Sequence, residues 1–393
     1  VDAHFANASS VQDAKDAEAV RAVCAALYAP WLQDVTESFQ RLLAEHPPQP
    51  SPPVAKPNEE RAGTCFLFVD ALRFDVAQLL AERLQGDGRE VAVAWRFAPL
   101  PTVTATAKLG VSPIAPLCRP GKGFEAATES GTAIGAAVFR RLLGENGFPV
   151  FGEEETGDPS GAGWTEAGRF DSTGHAEGCG LARRLDEEVG RMVRRVSALV
   201  EAGWREVRIV TDHGWLLLPG GLPKHDLPEH LTQIRKGRCA RLADGAQVDL
   251  PTVPWRWDAQ TRIAVAPGIA CFVAGKEYEH GGVSLQECVV PEITVVGSSG
   301  PTVNVAVTEV EWSGMRCRVT LSGELVGLAV DIRQKAADAG SSVADQKKTP
   351  DEAGQTALFV EDDRLEGSPV VIVLLDASGK VVRQRATIVG GET

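Results

Sequence analysis

Apolar residues at Val20, Val23, Leu27, Trp31, Val35, Phe39 and Leu42 recur three or four positions apart, which predicts an amphipathic helical region with a break at Pro30. The next stretch, PPQPSPPVAKPNEER from Pro47 to Arg61, is too rich in proline and too polar to pack, so it reads as a linker. Beyond Gly63 the period changes. TCFLFVD reads as a buried strand, VAQLLAERL as a helix, EVAVAWRFA as a strand, LARRLDEEVGRMVRRVSALVEAG as a long helix and EVRIVTD as another buried strand. This β-α-β order predicts an α/β domain with a mostly parallel sheet and helices on both faces. Two Gly- and Pro-rich stretches, roughly 120–170 and 214–262, read as insertions. After Val296 come short alternating segments, VNVAVTEVEW, RCRVTLSG, GLAVDIRQ, QTALFVEDD and VVIVLLDASGKVVRQRATIVG, as in a small β-sandwich. The last two strands are joined at Ala377-Ser378-Gly379, and the tract from Gly340 to Gly354 reads as a mobile loop.

Four segments follow: residues 1–46, a helical segment that is the tail of an N-terminal region; 47–61, the linker; 62–298, the α/β domain; and 299–393, a β-domain expected to contribute nothing to an α/β site. A 393-residue chain with 44% hydrophobic content can bury a full core and a satellite domain. The formal charge of −13 excludes a protein that coats duplex DNA, which needs a broad basic face. Eight cysteines without a CxxC pair argue against a zinc ribbon or a redox dithiol. With no basic, apolar leader and no run of 18 apolar residues, the expectation is a soluble cytoplasmic protein without membrane contact.

Open α/β sheets gather ligands at the carboxyl ends of their strands. CFLFVD ends on Asp70, within Asp70-Ala71-Leu72-Arg73-Phe74-Asp75, and VRIVTD ends on Asp212-His213-Gly214. Carboxylate and imidazole at a strand exit suit Zn²⁺ or a similar divalent ion. Asp171-Ser172-Thr173-Gly174-His175 pairs a carboxylate with an imidazole four positions on, and Glu279-His280-Gly281-Gly282 adds another imidazole. The glycines permit close backbone approach. Singly, each motif has an ordinary structural explanation as a cap, a turn or a core histidine.

Taken in order, Asp70, Thr104, Asp171, His175, Asp212, His213 and His280 resemble the metal and nucleophile positions of the alkaline phosphatase superfamily, above all its nucleotide phosphodiesterase branch. Pro101-Thr102-Val103-Thr104 is similar to that branch's nucleophile turn, and Asp171 to Gly178 to its DxxGHxxG element. ALRFD, LPTVTA, VTDHG and EHGGVSLQECVVP together resemble the PglZ family, the phosphatase component of BREX phage defence, and WSGMRCRV and IVGG resemble its type B branch. The resemblance spans Gly63 to about Gly297. It implies one ion on Asp171, His175 and His280 and a second on Asp70, Asp212, His213 and the Thr104 oxygen. Zn²⁺ is the first choice, with Mn²⁺ or Mg²⁺ as alternatives. Thr104 would be the nucleophile of a phosphodiesterase, nuclease-like enzyme or phosphatase. The implied partners are a phosphodiester, nucleotide or nucleic-acid substrate and the other BREX subunits, including the methyltransferase.

One departure concerns the phosphate. The compared phosphodiesterases carry an Asn shortly after the nucleophile, and Ala105-Thr106-Ala107 supplies none; Lys108, Arg73 and Lys224 are candidates for that electrostatic role. His225 is a candidate spare ligand or acid, the Arg235, Lys236, Arg238 and Arg241 run a candidate polyanion grip, and Trp255 and Trp257, flanking Arg256, a candidate base-stacking pair. Solvated charges and a loop anchored by tryptophan are the plainer alternatives for these. A sulfatase is excluded because Cys118-Arg119-Pro120 is not its Cys-x-Pro-x-Arg motif, and P-loop, GxSxG and dinucleotide-binding motifs are absent. The rival of another class is a metal-binding scaffold subunit of a defence complex with little or no catalysis.

Overall fold

The computed structural model describes residues 2–11, 13–49, 51–297, 305–323, 325–336, 338–377, 379 and 381–391. Two compact units divide the chain, Val1–Glu82 with Val91–Gly297, and Arg83–Glu90 with Ser298–Thr393. The expected boundary at 298/299 and Ser378 of the final turn lie outside the described residues.

The first unit is built on a five-stranded sheet of β1 (Thr64–Val69), β2 (Glu90–Phe97), β3 (Ala162–Ala167), β4 (Glu206–Val210) and β5 (Val289–Val296), in the order β2-β5-β4-β1-β3. β1 runs parallel to both β3 and β4, whereas β5 runs antiparallel to β4, so the expected α/β architecture is present with a mixed sheet. β1 is an interior strand buried along its whole length, which is why it reads as an unbroken apolar run rather than an alternating one. The helices Phe74–Gly86 and Leu181–Glu201 form where the 3.6-residue period predicted them.

In the first unit three expectations need correction. β3 lies inside the stretch 120–170 that reads as an insertion, yet it pairs residue for residue with β1 from Thr64↔Ala162 to Val69↔Ala167. Its sequence AGWTEA lacks the β-branched run of a central strand, so Gly163 and Glu166 disguise it. Trp164 gives it away in three dimensions: fully buried, it stacks on Phe66 and Phe68 and meets Phe139 edge-on, on a helix spanning Ala136–Glu145. The stretch 47–61 is likewise no free tether, since Val54 and Ala55 are buried in the same core and Val54 N–H donates to Val111 O. Nor does Pro30 break the helix. The run Ala14–Val23 continues through a π-turn at Cys24–Tyr28 into Ala29–Glu45, and the wider turn relieves the clash of the proline ring with the preceding carbonyl. Gln40 of that last helix is buried, donating to Ala266 O and Val283 O and accepting from Gly268 N–H.

The second insertion folds as an antiparallel sheet ordered Thr252–Trp255, Asp258–Val265, Cys239–Leu242, Thr232–Arg235. A two-stranded pair, Leu216–Leu217 with Tyr278–Glu279, brings the segment after β4 beside the segment before His280.

The second unit has two three-stranded sheets, Val305–Ser313, Arg316–Gly323 and Gln355–Phe359 in one, Ala329–Arg333, Pro369–Leu375 and Val381–Ile388 in the other. They share an aliphatic core that includes Val319, Leu358, Ile332 and Ile372, as alternating strands require. The tract from Gly340 to Gly354 is not free: Val343 packs on this core and Lys348 exchanges backbone hydrogen bonds with Val330.

If β3 is the sheet strand described here, Trp164→Ala should cost about 3 to 5 kcal/mol, read as a fall in the urea midpoint, because the cavity opens against Phe66 and Phe68. A cost below about 0.5 kcal/mol, the value for a surface loop, would exclude it.

Candidate metal centre

The sheet delivers two acidic residues to adjacent strand ends. Asp70 follows β1 directly, and Asp212 stands two residues beyond β4, fully buried. Ala71, next to Asp70, adopts φ 58°, a left-handed conformation that costs a non-glycine residue on the order of 1 kcal/mol. It is held there because the Trp215 indole donates to Ala71 O at 3.0 Å and Leu72 N–H donates to Thr211 Oγ1 at 3.0 Å. Asp212 is aimed by its own turn. Its Oδ1 accepts from the N–H groups of His213 (3.1 Å) and Ala71 (3.5 Å), which turns Oδ2 the other way.

Asp70 Oδ1 lies 3.5 Å and Asp212 Oδ2 3.6 Å from His213 Nε2. Both carboxylate oxygens are buried and, among the described residues, accept no hydrogen bond. His213 Nδ1–H donates to Gly214 O at 3.0 Å; a carbonyl only accepts, so the Nε2 lone pair faces the two oxygens. Two buried carboxylate oxygens without a hydrogen-bond donor among the described residues, converging on an imidazole nitrogen, fit a divalent cation, and carboxylate with imidazole is a donor set for Zn²⁺.

A second cluster repeats the arrangement. Asp171 and His175 sit one turn apart on the helix Phe170–Glu177, and Asp171 Oδ1 is 3.5 Å from His175 Nε2 and 3.4 Å from His280 Nε2. His280 Nδ1–H donates to Thr102 O at 2.8 Å, again freeing Nε2. In each group, one ligand atom from every member lies within 4.8 Å of the others. The groups touch: the rings of His213 and His280 stack at 3.9 Å with 8° between planes. Thr104, the first residue of the helix Thr104–Val111, places Oγ1 3.2 Å from His213 Nε2. All seven metal and nucleophile residues named from the sequence therefore converge.

Electrostatics follow from this crowding. Burial, then the charge of Asp212, pushes the Asp70 carboxyl up to about 8. Burial, then Asp171, raises Asp212 to about 7. Burial, then the adjacent His213 ring, lowers His280 to about 4, so its imidazole is neutral near pH 7. Neutral imidazole is the form that binds metal.

Other candidates separate. Lys108, one turn beyond Thr104, bonds Glu166 at 2.7 Å, and its charge favours the ionised forms of Asp70 and Asp212. Arg73 is buried, bidentate on Asp75 (2.6 and 2.7 Å) and stacked over Trp215, so it is spent on the β1 turn. Lys224 pairs with Asp226 at 2.6 Å, and His225 rests edge-on against Phe272; neither belongs to a ligand group. The basic run disperses. Arg238 is fully buried on Glu287, Arg241 donates to the carbonyls of Gly121 and Gly123, Arg235 donates to Leu227 O, and Lys236 lines the cavity beside Thr104. Trp255 is buried, its indole donating to Thr106 Oγ1 at 3.0 Å, so it anchors the insertion and offers no face to a base; Trp257 packs beneath Arg256.

The sequence reading missed Tyr278. Its hydroxyl donates to Asp171 Oδ1 at 3.0 Å, and its ring lies edge-on to His175. Gly174 permits this, since a Cβ there would overlap the ring at 2.3 Å. Its position two residues before His280 in KEYEHGG was the available signal.

No protein-family model matches the sequence, and no curated protein matches it. Among solved structures, the chain is similar to murine ectonucleotide pyrophosphatase/phosphodiesterase 5 (TM-score 0.40, 12% identity, 60% of this chain and 88% of that one). It is also similar to the human protein of that name (0.39, 13%, 60% and 88%). A third is phosphonoacetate hydrolase from Sinorhizobium meliloti 1021 (0.36, 14%, 62% and 90%). At this degree of likeness the chemistry has to be read from the site.

Tyr278→Phe should weaken binding of one of two divalent ions by about 10- to 100-fold in a calorimetric titration while leaving the fold intact, because an oriented ligand oxygen loses its donor. Unchanged affinities for both ions would remove Tyr278 from the site. The raised carboxyls give a pH test. Their folded pKa values exceed the unfolded value, so the unfolded chain releases protons and the chelated protein should lose stability from about pH 4 to pH 8, a loss that ion loading suppresses. Thermal melts at several pH values with and without chelator measure it; identical slopes would contradict it.

Proposed function

We propose that this chain is a two-metal phosphoesterase of the alkaline phosphatase superfamily that cleaves phosphodiesters with Thr104 as nucleophile. The observation that carries the reading is the position of Thr104 Oγ1, 3.2 Å from His213 Nε2, beside two ligand groups joined by stacked imidazoles. Asp171, His175 and His280 would hold one divalent ion, and Asp70, Asp212 and His213 with Thr104 Oγ1 the other, Zn²⁺ being the ion that suits both sets. Such ions supply Lewis acidity, lowering the pKa of the threonine hydroxyl and offsetting charge on the phosphate oxygens.

The chain supplies position. Thr104 Oγ1 attacks phosphorus: its bond to phosphorus forms as the bond to the leaving ester oxygen breaks, that oxygen departs with the proton lost by the hydroxyl, and the remaining ester is held as a threonine-linked phosphodiester. Water then attacks the same phosphorus, the bond to Thr104 breaks, and the hydroxyl is restored. Thr104 opens its helix; the N–H groups of Thr106 and Ala107 turn back to Val103 O, which leaves those of Thr104 and Ala105 to face an anion. That arrangement, with the Lys108 charge one turn on, stands in for the absent Asn. The motifs that resemble PglZ supply Thr104, Asp212, His213 and His280, and ALRFD directly follows Asp70, which supports a further reading as a type B component of cytoplasmic antiviral defence, working beside a methyltransferase and other subunits. Among the described residues no helix is long and apolar enough to cross a membrane.

The test is hydrolysis of a chromogenic phosphodiester and its matching monoester by protein stripped with chelator and reloaded with Zn²⁺, Mn²⁺ or Mg²⁺. Thr104→Ala should lower kcat at least about a thousandfold while retaining bound ions. Full activity of that variant, or turnover after complete chelation, would sink the proposal.

A further inference from the structure

Thr104, Ala105, Asp171, His175, Glu279 and His280 line a cavity of about 270 Å³ together with Lys236 and Gly237. Every other ionisable group on this wall is an acid or an imidazole, and Lys236 alone brings a permanent positive charge. It is exposed, and among the described residues it has no carboxylate within ion-pair distance, unlike Lys224 and Lys276, which pair with Asp226 and Glu279.

The backbone beneath Lys236 is fixed. Its N–H donates to Cys239 O at 2.8 Å, and Gly237 O accepts from Phe272 N–H at 2.6 Å. A Cβ on Gly237 would overlap the Glu279 carboxyl at 2.2 Å, so only glycine lets the loop lie this close. Arg238 is fully buried, with Nε and Nη2 on the two Glu287 oxygens at 2.9 and 3.1 Å. A side chain with no ion-pair partner among the described residues thus stands on a loop that three neighbouring contacts hold beside the candidate ligand groups.

We propose that Lys236 forms a subsite for a second anionic group of the substrate, so that the preferred esters carry another phosphate beyond the one attacked, as in nucleoside diphosphates or oligonucleotides. The inference rests on the phosphoesterase reading. A phosphate placed for attack by Thr104 leaves the remainder of the substrate to run along the cavity that Lys236 overlooks. A lysine there acts as a flexible point charge, which reads charge without dictating the shape of the leaving group.

The experiment is calorimetric binding to ion-loaded Thr104→Ala protein of a nucleoside 5′-monophosphate, the 5′-diphosphate and an aryl methyl phosphodiester at fixed salt. The diphosphate should bind about tenfold more tightly than the monophosphate. Adding Lys236→Ala should abolish that ratio, and Lys236→Arg should keep most of it. Because a diphosphate also engages bound ions, a preference that persists in Lys236→Ala belongs to the ions and overturns the proposal, as do equal affinities in the parent. Failure of the phosphoesterase reading looks different: Thr104-intact protein would turn over none of the three compounds while the Lys236-dependent ratio remained.

Discussion

Three carboxylates crowd against three imidazoles in a half-buried site, and the rest of the first unit answers to that constraint. At 4 Å, two like charges repel by about 1 kcal/mol in water and about 4 kcal/mol at an effective dielectric of 20. Asp70 and Asp212 can stay ionised together near pH 7 only if cations lie among them. Lys108 is too far committed to Glu166 to do this alone. Hence the directed acceptors: both imidazoles of the stacked pair donate from Nδ1 to carbonyls and turn Nε2 inward, His213 toward Asp70 and Asp212 and His280 toward Asp171.

Holding such groups together requires a frame that cannot relax. β1 and β4, parallel neighbours, fix the distance between the Asp70 and Asp212 turns. Gly214 lets the strand exit approach the 286 backbone so closely that a Cβ would lie 2.0 Å from Gln286 O. The returning segment is fixed in turn by Glu287, which takes Arg238, Gly282 N–H and Ser284 Oγ on its two oxygens. Such a buried pair contributes little net stability against desolvation. Its effect is geometric, setting the loop of His280 against the loop of Lys236.

The sequence was most informative where one physical demand dominated. Strands buried on both faces show as apolar runs, and ligand residues at their ends are polar exceptions to them, so β1, β4, Asp70 and Asp212 were legible. β3 was not, because a strand carrying Gly163, Trp164 and Glu166 satisfies its burial through aromatic stacking rather than β-branched packing. The 47–61 segment misled for a related reason: prolines dominate its composition, but two small apolar residues, Val54 and Ala55, decide where it lies. Arg73 reads as a site cation from its position near Asp70, yet Asp75 two residues on captures it, a local contact that spacing alone does not announce. Tyr278 escaped because a tyrosine beside a motif is indistinguishable from a core tyrosine until its hydroxyl finds Asp171.

The cations between 235 and 241 show why charge counts along a sequence translate poorly into ligand sites. Adjacent in sequence, they alternate across a β-turn and its flanking strands, so the pleat sends successive side chains to different environments. Arg238 goes inward and must be neutralised, Arg241 caps carbonyls over Trp255, and Arg235 ties down the 227–229 turn. Only Lys236, at the tip, reaches the metal cavity with its charge uncommitted. In a chain of net charge −13, an anionic substrate is attracted only where local geometry leaves a cation unneutralised, because the field of the whole surface opposes its approach. The phosphate affinity that the proposed function requires therefore has to be short-range, set at the cavity wall and within the ligand groups, and it requires no basic surface around them.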